Sequence, residues 1–518
     1  MAAEEYHYVV VGGGSAGCTL AGRLSEQPGV SVALVEAGPM DIDPVFRVPA
    51  RFWEQQKSSF DWDLQTEPEP ALCGRRSYLP RGRVLGGTSS MNTMLYVRGC
   101  AADYDGWAAA GHEGWSFAEV LPLFMRSEDN SRGGGPYHGA GGPLRVEDLQ
   151  PPPLLERWLA AAGEAGHPAN ADVNGPDQEG MGVYQANQHG GVRCSAAAAF
   201  IHPNLHRPNL SVHTCTHALR LVWDGVRVAG VEVEHCGEKR VIACARETVL
   251  CAGAYLSPQL LMLSGIGPAE HLRQMGIEVR IDNPDVGANL QDHPGCFLTY
   301  PVSAETGGSD PDAWVEVGGF AHSRPGLREP DLQFHAAVGS FADEGASTGA
   351  ARALSFGPYV TRPRSRGWVR LRSSLPQAKP RILHNFLGEE SDVAVLRAGV
   401  RMALQIASQP SLSAVLGDSE GARAAGVPSG DSDSAIDEYM RRSTFSFYHP
   451  AGTCAMGSVV DSQMRVLGVG GVRVCDTSIM PTLVGGNTNA PAIMFGEKLA
   501  GSLTGGSIAG QSGMRPDN

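Results

Sequence analysis

The sequence predicts an α/β fold (α+β overall), because one strand–helix–strand unit at the N-terminus is followed by two sheet-rich stretches. The unit comprises an apolar run at residues 6–11, a helical pattern over residues 15–25 and a second apolar run at 31–37. Apolar residues then alternate from 209 to 249. Residues 297–383 again have a strand-like pattern, interrupted by Pro and Gly residues typical of turns. We therefore expect a parallel sheet built around the N-terminal unit and further sheet beyond it.

A glycine-rich turn joins the first predicted strand to its helix. Gly12 permits the tight turn, Gly14 lets the backbone approach a pyrophosphate, and Gly17 lets the helix pack on the strand. Glu36 ends the second strand, where a carboxylate accepts hydrogen bonds from ribose hydroxyls. The motif predicts dinucleotide binding but does not distinguish FAD from NAD. The predicted contacts are Gly12, Gly14, Ser15, Ala16, Gly17, Glu36 and Ala37.

Periodicity and turn residues place the other elements. Residues 40–100 are rich in Pro, Gly and aromatic side chains and are predicted to form long loops. Asp224-Gly225 is predicted to be the turn of a hairpin. The Gly/Ser-rich C-terminal tail is predicted to be disordered. Further helices are predicted at 117–127, 256–263, 390–408, 432–442 and 490–503.

Charge and hydropathy argue against several classes of partner. The chain has 41 basic and 55 acidic side chains, and its formal net charge of −14 disfavours nucleic acid and anionic membranes. No stretch approaches the roughly 18 uninterrupted apolar residues of a membrane span. The N-terminus is acidic and leads directly into a strand, which is not the pattern of a signal peptide. Free thiols without an export signal predict a cytoplasmic protein.

No metal site is predicted. The 11 cysteines lack Cys-x-x-Cys spacing. His202 and His206 have helical spacing, but Pro203 between them prevents a regular helix from presenting both rings to one ion. Four cysteines in alternating apolar segments are interpreted as buried thiols, namely Cys215, Cys236, Cys244 and Cys251.

Two long segments carry position-specific motifs. Residues 82–99 read Gly-Arg-Val-Leu-Gly-Gly-Thr-Ser-Ser-Met-Asn-Thr-Met-Leu-Tyr-Val-Arg-Gly, and residues 253–267 read Gly-Ala-Tyr-Leu-Ser-Pro-Gln-Leu-Leu-Met-Leu-Ser-Gly-Ile-Gly. Both resemble the signature segments of the glucose–methanol–choline (GMC) family of flavin oxidoreductases. Residues 448–454 (Tyr-His-Pro-Ala-Gly-Thr-Cys) and 486–491 (Gly-Asn-Thr-Asn-Ala-Pro) are similar to the family's catalytic segments.

The resemblance extends from residue 6 to about 503 and implies a domain plan. A Rossmann-type FAD-binding domain would be discontinuous, and a β-sheet substrate-binding domain would be inserted in it. The first would comprise residues 1–155, 200–296 and 446–518, and the second would comprise residues 156–199 and 297–445.

The same resemblance implies how FAD is held. The loop at 86–90 would run along the flavin, and Asn92 would hydrogen-bond near the isoalloxazine. Asp476 would meet the ribityl chain, and the backbone of Ala218 would contact adenine. Some members attach FAD through a histidine just before that asparagine; Met91 stands there, so non-covalent FAD is expected. The further implied contacts are Arg83, Gly86, Gly87, Thr88, Ser89, Asn92, Thr93, Met94, Leu95, Ala218, Asp476, Asn487 and Thr488.

Alcohol oxidation by a flavin removes a proton from the hydroxyl group and a hydride from the carbon. A base must lie within about 3 Å of the substrate oxygen, and a neutral histidine suits this task near pH 7. By resemblance His449 is the base, and Asn489 is the amide that donates to the developing alkoxide. Asn487 is expected to position the backbone. The residues expected to line the substrate pocket are His335, Phe447 and Tyr448.

The predicted function is therefore FAD-dependent oxidation of a small-molecule alcohol, with a primary alcohol favoured, to its aldehyde. The hydride would go to flavin N5, and the electron acceptor would be O₂, a quinone or a protein. A non-redox relative such as a hydroxynitrile lyase or a flavin photodecarboxylase is the alternative. The presence of both His449 and Asn489 favours oxidation.

Overall fold

Two large sheets organise the structure, a computed structural model that describes residues 5–302, 312–341, 353–417 and 426–505. Each sheet has its own apolar core. The predicted disordered tail lies outside the described residues.

The first sheet is built on the N-terminal strand–helix–strand unit. Its strand Glu5–Val11 pairs in parallel with Val32–Val35, and the helix Ser15–Leu24 connects them. Val9 and Val10 are fully buried, as expected for a parallel strand covered on both faces. Six of its strands lie in the order Leu210–His213, Val32–Val35, Glu5–Val11, Glu238–Leu250, Arg227–His235 and Thr216–Asp224. A seventh strand, Val472–Val474, pairs with the end of Glu238–Leu250.

The second sheet is antiparallel and has six strands. The helix Glu390–Ala407 packs against it, and Trp158, on the helix Pro153–Glu164, is fully buried in the same core. Five of its strands lie in the order Val317–Ala321, Leu332–Val338, Ala353–Val360, Pro294–Gly295 and Phe445–Ser446. The sixth, Leu298–Pro301, pairs with Ala353–Val360.

Helices and short strand pairs surround these sheets. The remaining described α-helices are Ala101–Ala109, Phe117–Ser127, Gly253–Leu263, Ala269–Gln274, Pro410–Ser413, Asp433–Ser443 and Asn489–Thr504. The short strands outside the two sheets are Leu64–Gln65, Tyr78–Leu79, Glu128–Asn130, Leu144–Val146, Gly180–Val183, Gln188–His189, Val192–Arg193, Ile266–Gly267, Ile281–Asp282, Trp368–Arg370 and Arg381–Leu383. Short 3₁₀ or π segments occur at Pro44–Phe46, Pro49–Gln55, Pro70–Leu72, Gly87–Ser90, Ala197–Ile201, His202–Asn204 and Thr477–Ile479.

Most predicted elements are confirmed, and two expectations need correction. The helix Phe117–Ser127 has the predicted bounds, and the hairpin turns at Asp224-Gly225. The second strand, Val32–Val35, is shorter than the predicted 31–37, because the Gly38 amide donates to the Glu36 side chain and turns the chain after Glu36. Cys215 and Cys236 are exposed rather than buried, because both lie in left-handed turns between strands. The domain bounds stay a prediction.

Candidate active site

One cavity of about 350 Å³ is lined by residues of both sheets, a size typical of small-molecule sites. Its walls include the turn after the first strand, the loop after residue 86 and the segment before His449. On the other side it reaches Glu316 and His335 of the second sheet. The cavity therefore joins the dinucleotide motif to the predicted catalytic histidine.

The predicted glycine turn is required sterically. A Cβ on Gly12, whose φ is +106°, would lie 2.5 Å from the carbonyl oxygen of Cys251. A Cβ on Gly17 would lie 1.9 Å from the Gly12 oxygen, so the third glycine lets the helix pack against the turn. A Cβ on Gly87 would lie 2.7 Å from the Gly14 Cα atom. Two glycine loops therefore touch each other, and both line the cavity.

Glu36 lies at the end of the second strand and lines the cavity with Ala218. Its carboxylate accepts hydrogen bonds from the backbone amides of Gly13 and Gly38, each at 2.8 Å. Burial raises the pKa of Glu36 to about 7, although these amides act in the opposite direction. This carboxylate can accept further hydrogen bonds from the hydroxyl groups of a ribose.

Asp476 holds two elements together at the cavity wall. Its carboxylate accepts hydrogen bonds from the Gly253 amide at 2.9 Å, from the Ser257 hydroxyl at 2.6 Å and from the Ser478 amide at 2.8 Å. It therefore caps the turn Thr477–Ile479 and also lines the cavity. Burial raises its pKa.

His449 is aimed by its backbone. Tyr448, which precedes it, has a φ of 66°, unusual for a residue with a side chain. The Tyr448 carbonyl accepts a hydrogen bond from Arg81 at 2.7 Å, and the His449 amide donates to Asp292 at 2.8 Å. Strained backbone held by its surroundings is typical of functional sites. These contacts fix the direction of the imidazole.

The hydrogen bonds of His449 determine where its proton lies. His293 Nε2 is 3.1 Å from the carbonyl oxygen of Thr361, which can only accept, so this nitrogen carries the hydrogen. Burial lowers the pKa of His293 to about 3, so the ring is neutral and its Nδ1 is an acceptor. His449 Nδ1, 3.0 Å away, must therefore donate to it.

His449 is consequently a neutral ring whose Nε2 carries a lone pair and no hydrogen. Burial, followed by the proximity of His293, holds the pKa of His449 well below its ordinary value of 6.5. Asn487 Nδ2 lies 3.1 Å from this nitrogen and donates to it. A neutral acceptor can take a proton from a hydroxyl group, and a neighbouring amide donor can stabilise the charge that then develops on the oxygen.

The structure brings His449 together with Asn487 and not with Asn489. Asn489 is the first residue of the last helix; its Oδ1 accepts from the Ser15 hydroxyl at 2.7 Å, and its Nδ2 donates to Asn187 at 3.2 Å. The expected donor role of Asn489 at the base is therefore not supported by these contacts. Its amide instead joins the last helix to the start of the first.

A buried carboxylate lies at the substrate side of the cavity. Glu316 is 4% exposed and accepts hydrogen bonds from Trp314 Nε1 at 2.8 Å and His335 Nδ1 at 2.6 Å. Among the described residues, no Arg or Lys side chain pairs with it, and His335 is its one basic partner. The aromatic side chains that line the same cavity are Phe52, Trp62, Tyr255, Phe297, Trp314, Phe341, Phe445, Phe447 and Tyr448.

Most of the predicted site residues line this cavity. The residues that do so are Gly12, Gly14, Ser15, Ala16, Glu36, Ala37, Gly87, Thr88, Asn92, Thr93, Met94, Leu95, Ala218, His335, Phe447, Tyr448, His449, Asp476, Asn487, Thr488 and Asn489. Four predicted cofactor residues do not line it, namely Gly17, Arg83, Gly86 and Ser89.

Sequence reasoning missed the groups that act on these side chains. No sequence motif marks Asp292, His293 or Glu316. Asp292 and His293 contact His449, which is distant in the chain, and Glu316 contacts His335 on another strand. In the part of the chain that the structure describes, no group of His, Cys, Asp and Glu side chains could hold a metal ion.

Comparison with known proteins decides the family. Family models described as GMC oxidoreductase match residues 6–295 and 363–496, which is most of the chain. The chain belongs to the GMC oxidoreductase family. The predicted family and fold class are thereby confirmed.

Relatives of this GMC oxidoreductase match along nearly its whole length. Mitochondrial choline dehydrogenase of Homo sapiens is 40% identical, over 97% of this chain and 90% of its own. An uncharacterized GMC-type oxidoreductase of Mycobacterium bovis is 42% identical, over 95% of this chain and 98% of its own. The solved structure of pyridoxine 4-oxidase from Mesorbium loti has a TM-score of 0.88 at 31% identity, covering 96% and 99% of the two chains.

The protein is thus an FAD-dependent oxidoreductase that acts on CH–OH groups. The cavity residues fit the cofactor: the touching glycine loops of Gly14 and Gly87 leave backbone accessible for a pyrophosphate, and Glu36 offers a ribose acceptor. Within the described ranges, no helix has the length and apolar character needed to cross a bilayer.

Proposed function

We propose that this GMC oxidoreductase oxidises a primary alcohol that carries a cationic group, as choline does, to its aldehyde. One observation carries the proposal: a single cavity joins the neutral Nε2 of His449 to the aromatic-lined carboxylate of Glu316. The first group deprotonates a hydroxyl, and the second attracts a cation.

His449 and Asn487 share the work at the alcohol oxygen. The substrate hydroxyl donates to His449 Nε2, which takes the proton as the carbon–hydrogen bond breaks. Asn487 Nδ2 donates to the oxygen as its charge develops, and removal of such a donor typically slows a reaction by about 10²- to 10³-fold. Bound FAD supplies the two-electron acceptance of the hydride at N5.

Glu316 accounts for the proposed cationic group. A carboxylate without an Arg or Lys partner among the described residues attracts a positive ligand into a site of low polarity. The surrounding aromatic faces add cation–π attraction, which is favourable for a quaternary ammonium. Relatives named choline dehydrogenase, 38–40% identical to this chain, act on an alcohol of this class by their names.

We expect choline to bleach the flavin anaerobically. Its uncharged isostere, 3,3-dimethylbutan-1-ol, should do so with about 5- to 30-fold lower efficiency, since one cation–π or ion pair contributes roughly 1–2 kcal/mol. Glu316→Gln should lower the efficiency with choline towards that of the isostere and leave the isostere little changed. Equal efficiency for both alcohols would contradict the cationic substrate. No bleaching by any alcohol would favour a non-redox reaction.

Asn487→Ala is expected to slow flavin reduction by about 10²- to 10³-fold. Asn489→Ala, the matched change two residues away, should lower the affinity for FAD, because it frees Ser15 at the cofactor turn. Its bound flavin should be reduced at nearly the wild-type rate. Stopped-flow absorbance under argon measures both rates. Slow flavin reduction in Asn489→Ala together with a wild-type rate in Asn487→Ala would instead identify Asn489 as the donor.

FAD is proposed to be held without a covalent bond. Met91, whose side chain is buried and lines the cavity, offers no imidazole for attachment. Precipitation with trichloroacetic acid should release all of the flavin into the supernatant. Yellow colour retained in the washed pellet would contradict this expectation.

A further inference from the structure

Gln333 lies on the strand Leu332–Val338 and is fully buried behind the cavity. Its Nε2 lies 3.1 Å from Asn487 Oδ1, 3.2 Å from His335 Nε2 and 3.2 Å from the Tyr184 hydroxyl oxygen. Its Oε1 has no hydrogen-bond partner among the described residues. One amide nitrogen is thus surrounded by groups that can accept.

One chain of hydrogen bonds reaches Gln333 from the catalytic side. Its far end is the Thr361 carbonyl, which accepts from His293 and thereby makes His449 donate from Nδ1. His449 Nε2 then accepts from Asn487 Nδ2. An amide that presents its nitrogen to His449 presents its oxygen to Gln333, which must donate.

A second chain reaches Gln333 from the substrate side. Its far end is the Glu316 carboxylate, which accepts from His335 Nδ1. Because the Gln333 NH₂ group can only donate, His335 Nε2 accepts from it, and the His335 hydrogen lies on Nδ1 towards Glu316. Tyr184 donates its own hydrogen to the Phe334 carbonyl at 2.8 Å and so does not compete as a donor.

We propose that Gln333 is a positioning residue that fixes which end of the Asn487 amide faces His449 and the substrate oxygen. Both chains end as acceptors at one point, and a side-chain NH₂ group supplies two hydrogens there without adding charge. This inference rests on the proposed donor role of Asn487. It extends that function by linking the orientation of the donor to the Glu316 end of the pocket.

The consequence of losing Gln333 follows from the symmetry of a carboxamide. Without a donor at its oxygen, Asn487 can rotate by half a turn and present Oδ1 to His449 Nε2. Two acceptors then face each other, and the alkoxide loses its donor. The buried, hydrogen-bonded position of the amide is therefore what keeps the productive orientation.

A double-mutant cycle tests the inference on the FAD-loaded enzyme. Gln333→Met should slow flavin reduction by at least about tenfold, and by no more than the roughly 10²- to 10³-fold expected for Asn487→Ala. The double variant should match Asn487→Ala within about twofold, because Gln333 acts only through Asn487. Substrate affinity, taken from the concentration dependence of the rate, should change less than the limiting rate.

Two further variants keep the test decisive. Gln333→Glu retains the volume but offers only acceptors when ionised, so it should slow reduction at least as much as Gln333→Met. Gln55→Met removes another buried glutamine, 1% exposed and outside the cavity wall, and should leave the rate unchanged.

The outcomes distinguish the positioning role of Gln333 from the donor role of Asn487. Losses that multiply in the double variant, or a wild-type rate for Gln333→Met, would overturn the positioning role and leave the donor role of Asn487 standing. A wild-type rate for Asn487→Ala would overturn the donor role itself. Near-equality of the double variant and Asn487→Ala, with slow reduction in both, supports the inference.

Discussion

Replacing His449 with alanine is expected to leave FAD bound and to slow reduction of the flavin by an alcohol by about 10²- to 10⁴-fold. The reason is that His449 Nε2 is a buried, neutral acceptor, because the hydrogen bond from Nδ1 to His293 keeps the ring hydrogen on Nδ1. Anaerobic stopped-flow absorbance measures the rate, and the flavin spectrum gives the bound FAD.

His112 provides a matched control for this change. It is 8% exposed, as His449 is, and it lies outside the cavity wall. His112→Ala should reduce its flavin at the wild-type rate. Rapid flavin reduction in His449→Ala would show that His449 is not the base. Loss of FAD from that variant alone would indicate a structural role.

The second large effect is expected on stability. Glu128→Gln should lower the free energy of unfolding by about 3–5 kcal/mol, because it leaves the Arg98 guanidinium buried without its counter-charge. The two side chains form an ion pair and are 0% and 1% exposed. Glu128 also accepts hydrogen bonds from Asn130 at 2.7 Å and from the Gly139 amide at 2.8 Å.

Urea unfolding of the holoenzyme, followed by tryptophan fluorescence, measures this loss. Glu438→Gln is the matched surface change, because Glu438 pairs with Arg442 while both side chains are more than half exposed. It should cost no more than about 1 kcal/mol. Equal stability of the Glu128 and Glu438 variants would refute the buried-charge argument.

Local sequence patterns were sufficient to predict the segments that form the cofactor side of the cavity. The turn at Gly12 and Gly14 follows from steric limits that act over a few residues, and the helix Phe117–Ser127 follows from its apolar period. The segments 82–99 and 253–267 are contiguous, so they could be recognised without knowing the fold. Solvent exposure of Cys215 was predicted wrongly, because alternation shows which residues share a face and not where a strand stops.

The sequence by itself determined the family, the cofactor and His449 as the candidate base, because each is encoded in contiguous residues. Only the tertiary structure decided which asparagine meets that base. Asn487 and Asn489 are two residues apart at the irregular start of a helix, where the direction of each side chain depends on backbone torsions that composition does not specify. Tertiary contacts also brought His293 to His449, although 156 residues separate them, and their hydrogen bond places the proton.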